Sequence, residues 1–212
     1  MRAEGGAARV AVLSGSPVAG SRTWSLAAAV GERLAARELE VRLIDLRALP
    51  AHEVLHGPGD AGAVRAALDT VAWADAVVVA TPVHHAAYSG LLKAFLDLLP
   101  RAGLGGKVVL PLAVGGSPAH ILAIDYALRP VLVALGAAHV ARGHVVLGEE
   151  LECADDGAAH LRPEAERRLE GVLREFVLGV RLHAPGDAPD PRPAPAPTGR
   201  PAVVPRVGAH GE

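Results

Sequence analysis

Small residues, three hydroxyl groups and one arginine are concentrated between Gly15 and Thr23, where the sequence reads GSPVAGSRT. The segment follows a short apolar run and precedes a stretch with helical periodicity. Small residues let the backbone N–H groups curl inward, and the N-terminus of the next helix favours an anion. Ser16, Ser21 and Thr23 add hydroxyl donors, and Arg22 adds a planar cation. The pattern predicts a phosphate-binding loop without a Walker lysine. A Ser-capped helix start with no ligand is the alternative.

A second loop, TPVHHAAYSG at residues 81–90, follows a predicted buried strand. We expect Pro82 to stop strand pairing there, so that small residues form a low shelf whose backbone can approach a flat ring. His84 or His85 could stack on that ring or hydrogen-bond at its edge. A histidine metal pair is disfavoured because adjacent histidines rarely point the same way and the nearest carboxylate, Asp97, lies in the next predicted helix. Two exposed loop histidines with no ligand remain the alternative.

The third loop begins with Gly115 and Gly116, which permit a close approach of backbone to a ligand. His120 is expected early in the following helix, with Ser117 as its N-cap and Pro118 in its first turn, an arrangement that would also serve a helix start without any ligand. One phosphate loop and two small-residue shelves predict a site for a mononucleotide with a planar ring. Because no Ser–His–Asp, Cys–His or paired-carboxylate set stands out, the redox chemistry would belong to that ring.

The elements that position these loops follow from the apolar pattern. Strands are predicted at 9–14, 41–46, 76–81, 107–114 and 139–147. Helices are predicted after the first loop, at 88–99, at 119–135 with Pro130 ending or kinking it, and at 169–180. Five alternations in one domain predict an α/β fold, a flavodoxin-like, doubly wound five-stranded parallel sheet with helices on both faces. Ligands bind beyond the carboxyl ends of such strands, where all three loops lie.

A literal G-x-G-x-x-G occurs at Gly57, Gly59 and Gly62. A dinucleotide-binding fingerprint needs a strand before the glycines and a helix after them. The segment follows a polar stretch instead, with Pro58 inside the motif, so we interpret the match as chance loop composition.

Bulk composition excludes several classes of protein. The chain has 212 residues, of which 50% are hydrophobic, and a formal net charge of -2, which predicts one globular domain with no nucleic-acid or membrane partner. A single cysteine, Cys153, excludes an internal disulfide. With no secretory signal and no long apolar run, a cytoplasmic location is expected. We expect the domain to span residues 1–183, and the segment 184–212 to be a proline-rich disordered tail.

Three stretches together resemble the NAD(P)H-dependent FMN reductases: LSGSPVAGSRTWSL, TPVHHAAYSGLLKAFLDLLP and KVVLPLAVGGSPAHILAIDYALRPVLVALGA. The likeness is strongest to the subgroup that supplies reduced FMN to two-component alkanesulfonate monooxygenases, and it runs from about Val10 to Val146. It implies a flavodoxin-like fold, NADPH or NADH as the electron donor, and FMN as a substrate that leaves after reduction. It also implies a partner flavin-dependent monooxygenase and a homodimer or homotetramer, with Tyr126 at the subunit interface.

The resemblance implies roles for individual residues. The FMN phosphate would be held by Ser16, Ser21, Arg22 and Thr23. The isoalloxazine would be bordered by Pro82, Val83, His84, Gly115 and Gly116, with His85, Ser89 and His120 as further cofactor-binding candidates. This chain has His84-His85 where the subgroup commonly has Tyr-Lys, so its ring contacts differ.

Two other functions fit the same fold. One is a quinone, azo-dye or metal-ion reductase that keeps FMN tightly bound. The other is a flavodoxin-type electron carrier without catalytic activity, although such carriers are usually strongly acidic and have a Thr-rich phosphate loop, unlike this chain.

Overall fold

Strands and helices alternate along the chain in the computed structural model, which describes residues 7–57, 62–153 and 159–183. The strands are β1 (Arg9–Ser14), β2 (Glu40–Asp45), β3 (Ala76–His84), β4 (Ala87–Tyr88), β5 (Val108–Gly115), β6 (His139–Val140), β7 (His144–Leu147), β8 (Leu151–Cys153) and β9 (Ala159–Leu161). The α-helices are α1 (Arg22–Ala35), α2 (Ala51–His56), α3 (Ala63–Trp73), α4 (Gly90–Asp97), α5 (Arg129–Ala134) and α6 (Pro163–His183). The segment predicted as a proline-rich tail, 184–212, lies outside the described residues.

The main sheet has the strand order β2-β1-β3-β5, and both β6 and β7 pair with the far edge of β5. All of these pairs are parallel; Val12, for example, lies opposite Leu43 on one side and Val78 on the other. The predicted doubly wound, flavodoxin-like parallel sheet is therefore confirmed. Strand order reverses between β1 and β3, which creates a crevice at the carboxyl ends of these strands.

Helices cover both faces of the sheet, which explains the nearly continuous apolar runs of its central strands. Alternate residues of β1 point to opposite sides, so that Val12 packs into one cluster with Phe176 of α6, and Leu13 into another with Phe95 of α4. Both phenylalanines are fully buried. The two clusters fix the strand ends from which the three loops emerge.

The expectation that Pro82 stops strand pairing was wrong. β3 continues to His84, with Pro82 opposite Val114 of β5, and then turns back as β4. The β1–β3 ladder ends at Ala80 and the pairing of β3 with β4 begins at Val83, so Pro82 itself pairs with β5 alone. Proline is tolerated on such an edge because no ladder hydrogen bond is needed there.

The predicted helix at 119–135 is divided into three segments. A 3₁₀ turn (Pro118–His120) comes first, a π-helical segment (Ala123–Leu128) follows, and α5 begins at Arg129 with Pro130 in its first turn. The Arg129 N–H donates to the Ile124 carbonyl five residues earlier. Proline cannot donate a helical hydrogen bond, and this local change of pitch lets the chain continue past it.

The predicted fifth strand is likewise broken, into β6 and β7. The carbonyls of Val140 and Ala141 accept hydrogen bonds from the Arg129 guanidinium at 2.9 and 3.1 Å. Gly143 then packs so closely that a Cβ there would lie 2.5 Å from Ile124 Cγ2. A side chain from the preceding helix thus takes the place of strand pairing at the break.

Candidate active site

The three chemically distinctive loops meet at the carboxyl edge of the sheet, because β1, β3 and β5 are neighbours in it. The first two are bonded directly: the Gly15 N–H donates to the Ala80 carbonyl at 2.8 Å. A Cβ at Gly15 would lie 2.9 Å from Leu92 Cβ, so glycine is required for this approach. The loops therefore form one surface with a fixed relative position.

Ser89 joins these loops from the inside. Its hydroxyl donates to the Gly15 carbonyl at 2.5 Å and accepts from the Leu92 N–H at 3.1 Å, which makes it the N-cap of α4. Its own N–H donates to Thr81 Oγ1 at 3.0 Å. Because Ser89 is 2% exposed and its hydroxyl is engaged by the protein, the structure places it under the loops as a positioning residue.

The first loop leads into α1, and the first backbone N–H groups of this helix are directed toward the loop. Ser21 is the N-cap, and its hydroxyl accepts from the Trp24 N–H at 3.2 Å. Ser16 is buried and its hydroxyl accepts from the Val18 N–H at 3.2 Å. Within the described residues, the first backbone N–H groups of α1, those of Arg22 and Thr23, have no partner. Free N–H groups at a helix N-terminus bind anions.

Arg22 is exposed at this helix start, and its guanidinium forms no ion pair with any described residue. It packs on Gly148, where a Cβ would lie 3.4 Å from Arg22 Nη1 and 3.9 Å from the Gly115 carbonyl oxygen. A cavity of about 480 Å³ opens beside it. An unpaired arginine next to free helix N–H groups is suited to a phosphate.

The second loop is a β-hairpin that projects from the sheet edge. His84 pairs with Ala87, and the two residues between them, His85 and Ala86, have positive φ angles of 48° and 61°. Both histidines are exposed. The residues before the turn, Pro82 and Val83, are half-buried and form a ledge without a large side chain.

The third loop is closed by His120. The Gly116 N–H donates to His120 Nδ1 at 3.2 Å, and a Cβ at Gly115 would lie 2.5 Å from that nitrogen. Ser117 caps the 3₁₀ turn by accepting from the Ala119 N–H at 3.3 Å, as predicted. His120 thus packs against Gly115 and Gly116 and stabilises the conformation of this loop.

The two glycines of this loop differ in a way that separates binding from folding. A Cβ at Gly116 would have no neighbour within 4 Å, whereas a Cβ at Gly115 would collide with His120. We expect Gly116→Ala to leave the melting temperature within about 2 °C and yet to weaken binding of any ligand whose ring lies on this shelf. Gly115→Ala should lower the melting temperature as well, because overpacking costs roughly 1–3 kcal/mol. Thermal unfolding and ligand titration of both variants check this; unchanged affinity in Gly116→Ala would remove Gly116 from the binding surface.

The sequence reasoning missed a fourth loop at the same edge. It starts at Gly148, directly after β7, and packs between Arg22 and Gly115. The signal that found the other loops, a small residue directly after a strand, is also present here. Ser14 was missed too: its hydroxyl is fully buried at the end of β1 and has no hydrogen-bond partner among the residues that the structure describes.

A comparison with protein families shows to which of the families with this fold the chain belongs. Residues 8–152 match the model of the family described as NADPH-dependent FMN reductase. The chain belongs to this family. It is therefore an oxidoreductase, an NAD(P)H-dependent FMN reductase, and the resemblance of the loop sequences is confirmed at the level of the family.

Individual relatives agree with this assignment. The chain is 41% identical over 169 residues to an Escherichia coli protein named FMN reductase (NADPH), covering 79% of this chain and 87% of that one. The solved structure of an NADH:FMN oxidoreductase in its apo form has a TM-score of 0.75 at 35% identity, covering 87% of this chain and 94% of that one. A flavodoxin from the domain Archaea, at 13% identity and TM-score 0.54 over 82% of this chain and 99% of that one, shares the fold alone.

The residues present fit FMN. The free N–H groups of α1 with Arg22 offer a site for its phosphate, and the glycine shelf opposite the hairpin leaves room for a flat ring. Among the residues that the structure describes, no three His, Cys, Asp or Glu side chains are grouped as a metal would require. In the same residues no helix has the length and apolar character needed to cross a membrane.

Proposed function

We propose that this FMN reductase reduces FMN with NAD(P)H and releases the reduced flavin to a partner flavin-dependent monooxygenase that acts on sulfonates. The observation that carries the proposal is the combination of Arg22, which forms no ion pair among the described residues, at a helix start with free N–H groups, and an open glycine shelf at Gly116. In this proposal the first binds the phosphate and the second borders the ring. Such a site selects FMN by its phosphate and makes few side-chain contacts with its ring.

In this proposal the residues divide into two groups. Ser16, Ser21, Arg22 and Thr23 bind the phosphate, and Pro82, Val83, His84, Gly115 and Gly116 border the isoalloxazine. His85 lies at the tip of the hairpin, where the nicotinamide coenzyme would approach. Ser89 and His120 act through the loops that they hold.

Bound FMN supplies the redox chemistry, since its ring accepts a hydride from the nicotinamide. The protein contributes alignment of the two rings, which is where most of the rate gain of such a transfer arises. The ledge at Pro82 and Val83 and the shelf at Gly115 and Gly116 give the ring two fixed walls. Neither wall carries a large side chain, so the nicotinamide can stack on the exposed face.

The same proposal includes a homodimer or homotetramer. Three apolar side chains on or beside the π-helical segment are unusually exposed: Tyr126 at 80%, Val133 at 57% and Leu122 at 53%. Apolar groups gathered in this way favour contact with another protein surface. A second copy of the chain is the proposed partner.

Flavin retention tests the release step. We expect the purified protein to elute colourless from a desalting column, and to regain NAD(P)H oxidation in proportion to added FMN. A yellow protein with one FMN per chain, reducing quinones, azo dyes or metal ions in preference to free flavin, would contradict release and support the tightly bound alternative. A protein that binds FMN and never oxidises NAD(P)H would be an electron carrier.

A further inference from the structure

The cavity beside Arg22 is shared between the first loop and the fourth loop. Its walls include Gly20 and Arg22 on one side and Glu149 and Glu152 on the other. At about 480 Å³ it lies within the range of roughly 300–1,000 Å³ that small-molecule pockets occupy. Volume alone therefore does not stop a ligand from continuing past the phosphate site into this space.

Charge distinguishes the cavity from the phosphate site. Glu149 and Glu152 are exposed, and within the described part of the chain neither forms an ion pair. No ion pair within the described residues therefore offsets these two carboxylates on the cavity wall. Arg22 is the cation that lines this cavity, so a phosphate bound to Arg22 has the two carboxylates on the cavity wall beyond it.

Glu150, between them, holds the loop in this orientation. It turns inward, accepts the Leu147 N–H at 3.1 Å and pairs with Arg168 of α6. Burial alone would raise the pKa of Glu150, but the hydrogen bonds from Arg168 and from the Leu147 N–H outweigh it and hold the pKa below its usual value. Glu150 thus stays ionised and anchored, and the residues on either side of it face the cavity.

We propose that Glu149 and Glu152 are specificity-determining residues that exclude FAD by repelling its second phosphate. The proposal rests on the proposed function, in which the phosphate of FMN lies at Arg22. FMN ends at that phosphate, whereas FAD continues through a second phosphate to adenosine. In this proposal the continuation enters the cavity beside Arg22, which the two carboxylates line, and like charges at short range disfavour it.

The double variant E149Q/E152Q tests this, because glutamine keeps the size of each side chain and removes its charge. We expect kcat/KM for FAD to rise about tenfold at low ionic strength, with kcat/KM for FMN changing less than twofold. The control D69N/E175Q removes two exposed charges on α3 and α6 and should change neither value. Added salt should raise the FAD-to-FMN ratio in the wild type and leave it unchanged in E149Q/E152Q, because screening acts on exposed charges.

Calorimetric titration with FAD and with FMN gives a readout that does not depend on turnover. The Kd for FAD should fall about tenfold in E149Q/E152Q and stay constant in the control. An unchanged FAD-to-FMN ratio, or an equal gain for both flavins, would overturn the proposal. A wild-type protein that turns over neither flavin would instead overturn the proposed function, so the two failures are distinguishable.

Discussion

Replacing Arg22 by alanine should raise the KM for FMN at least tenfold and leave the KM for riboflavin nearly unchanged. Arg22, at the start of α1, forms no ion pair with any residue that the structure describes, and riboflavin lacks the phosphate that it would bind. A charge-assisted hydrogen bond contributes roughly 1.5–3 kcal/mol, which corresponds to about a tenfold change or more. Steady-state NAD(P)H oxidation with each flavin gives both KM values.

Two further variants sharpen this measurement. Arg22→Lys should give an intermediate KM for FMN, because lysine keeps the charge and loses the planar fork. Arg65→Ala removes an exposed arginine from α3 and should leave both values as in the wild type. Equal losses with FMN and riboflavin in Arg22→Ala would show that Arg22 serves the ring or the fold and not the phosphate.

Gly15→Ala should lower both the stability of the protein and its activity, because it disturbs the packing beneath the site. The added Cβ would lie 2.9 Å from Leu92 Cβ and 3.4 Å from the Ala80 carbonyl oxygen, so β1 and α4 would have to separate. Overpacking of this kind costs roughly 1–3 kcal/mol. In a domain of this size that corresponds to a melting temperature lower by roughly 2–12 °C. Because the Ser89 link between the first two loops would be strained as well, we expect kcat/KM for FMN to fall about tenfold or more.

Gly90→Ala is the matched control, since it lies at the start of the same helix and a Cβ there would have no neighbour within 4 Å. It should keep both stability and activity. Thermal unfolding and steady-state kinetics of the two variants are compared side by side. Wild-type stability and kinetics in Gly15→Ala would show that the close approach of these loops is not required.

The sequence was sufficient for the sheet and for the three loops because both depend on local signals. Apolar runs define buried strands, and parallel strands bring their carboxyl ends to one edge whatever the side chains in between. The hairpin at Pro82 was not predictable in this way, since its pairing depends on where the neighbouring strand ends. α3 was also missed, although Val64, Ala67 and Val71 have helical spacing and are buried.

Features set by contacts between distant residues could not be read from the chain. The break in the fifth strand depends on Arg129 reaching the carbonyls of Val140 and Ala141. The orientation of the fourth loop depends on Arg168, 18 residues beyond Glu150. The hydrogen bonds of Ser89 to Gly15 and of His120 to Gly116 likewise join residues that only the fold brings together, and the resemblance, which gave both residues as cofactor-binding candidates, did not indicate these contacts.

The most direct test of the account is steady-state oxidation of NADPH and of NADH with FMN, riboflavin and FAD as acceptors. We predict turnover that depends on added flavin, with kcat/KM highest for FMN because it alone offers Arg22 a phosphate without a second phosphate facing Glu149 and Glu152. Riboflavin should show a raised KM, and FAD the lowest efficiency. Absence of flavin-dependent NAD(P)H oxidation, or equal efficiency with all three flavins, would contradict the account.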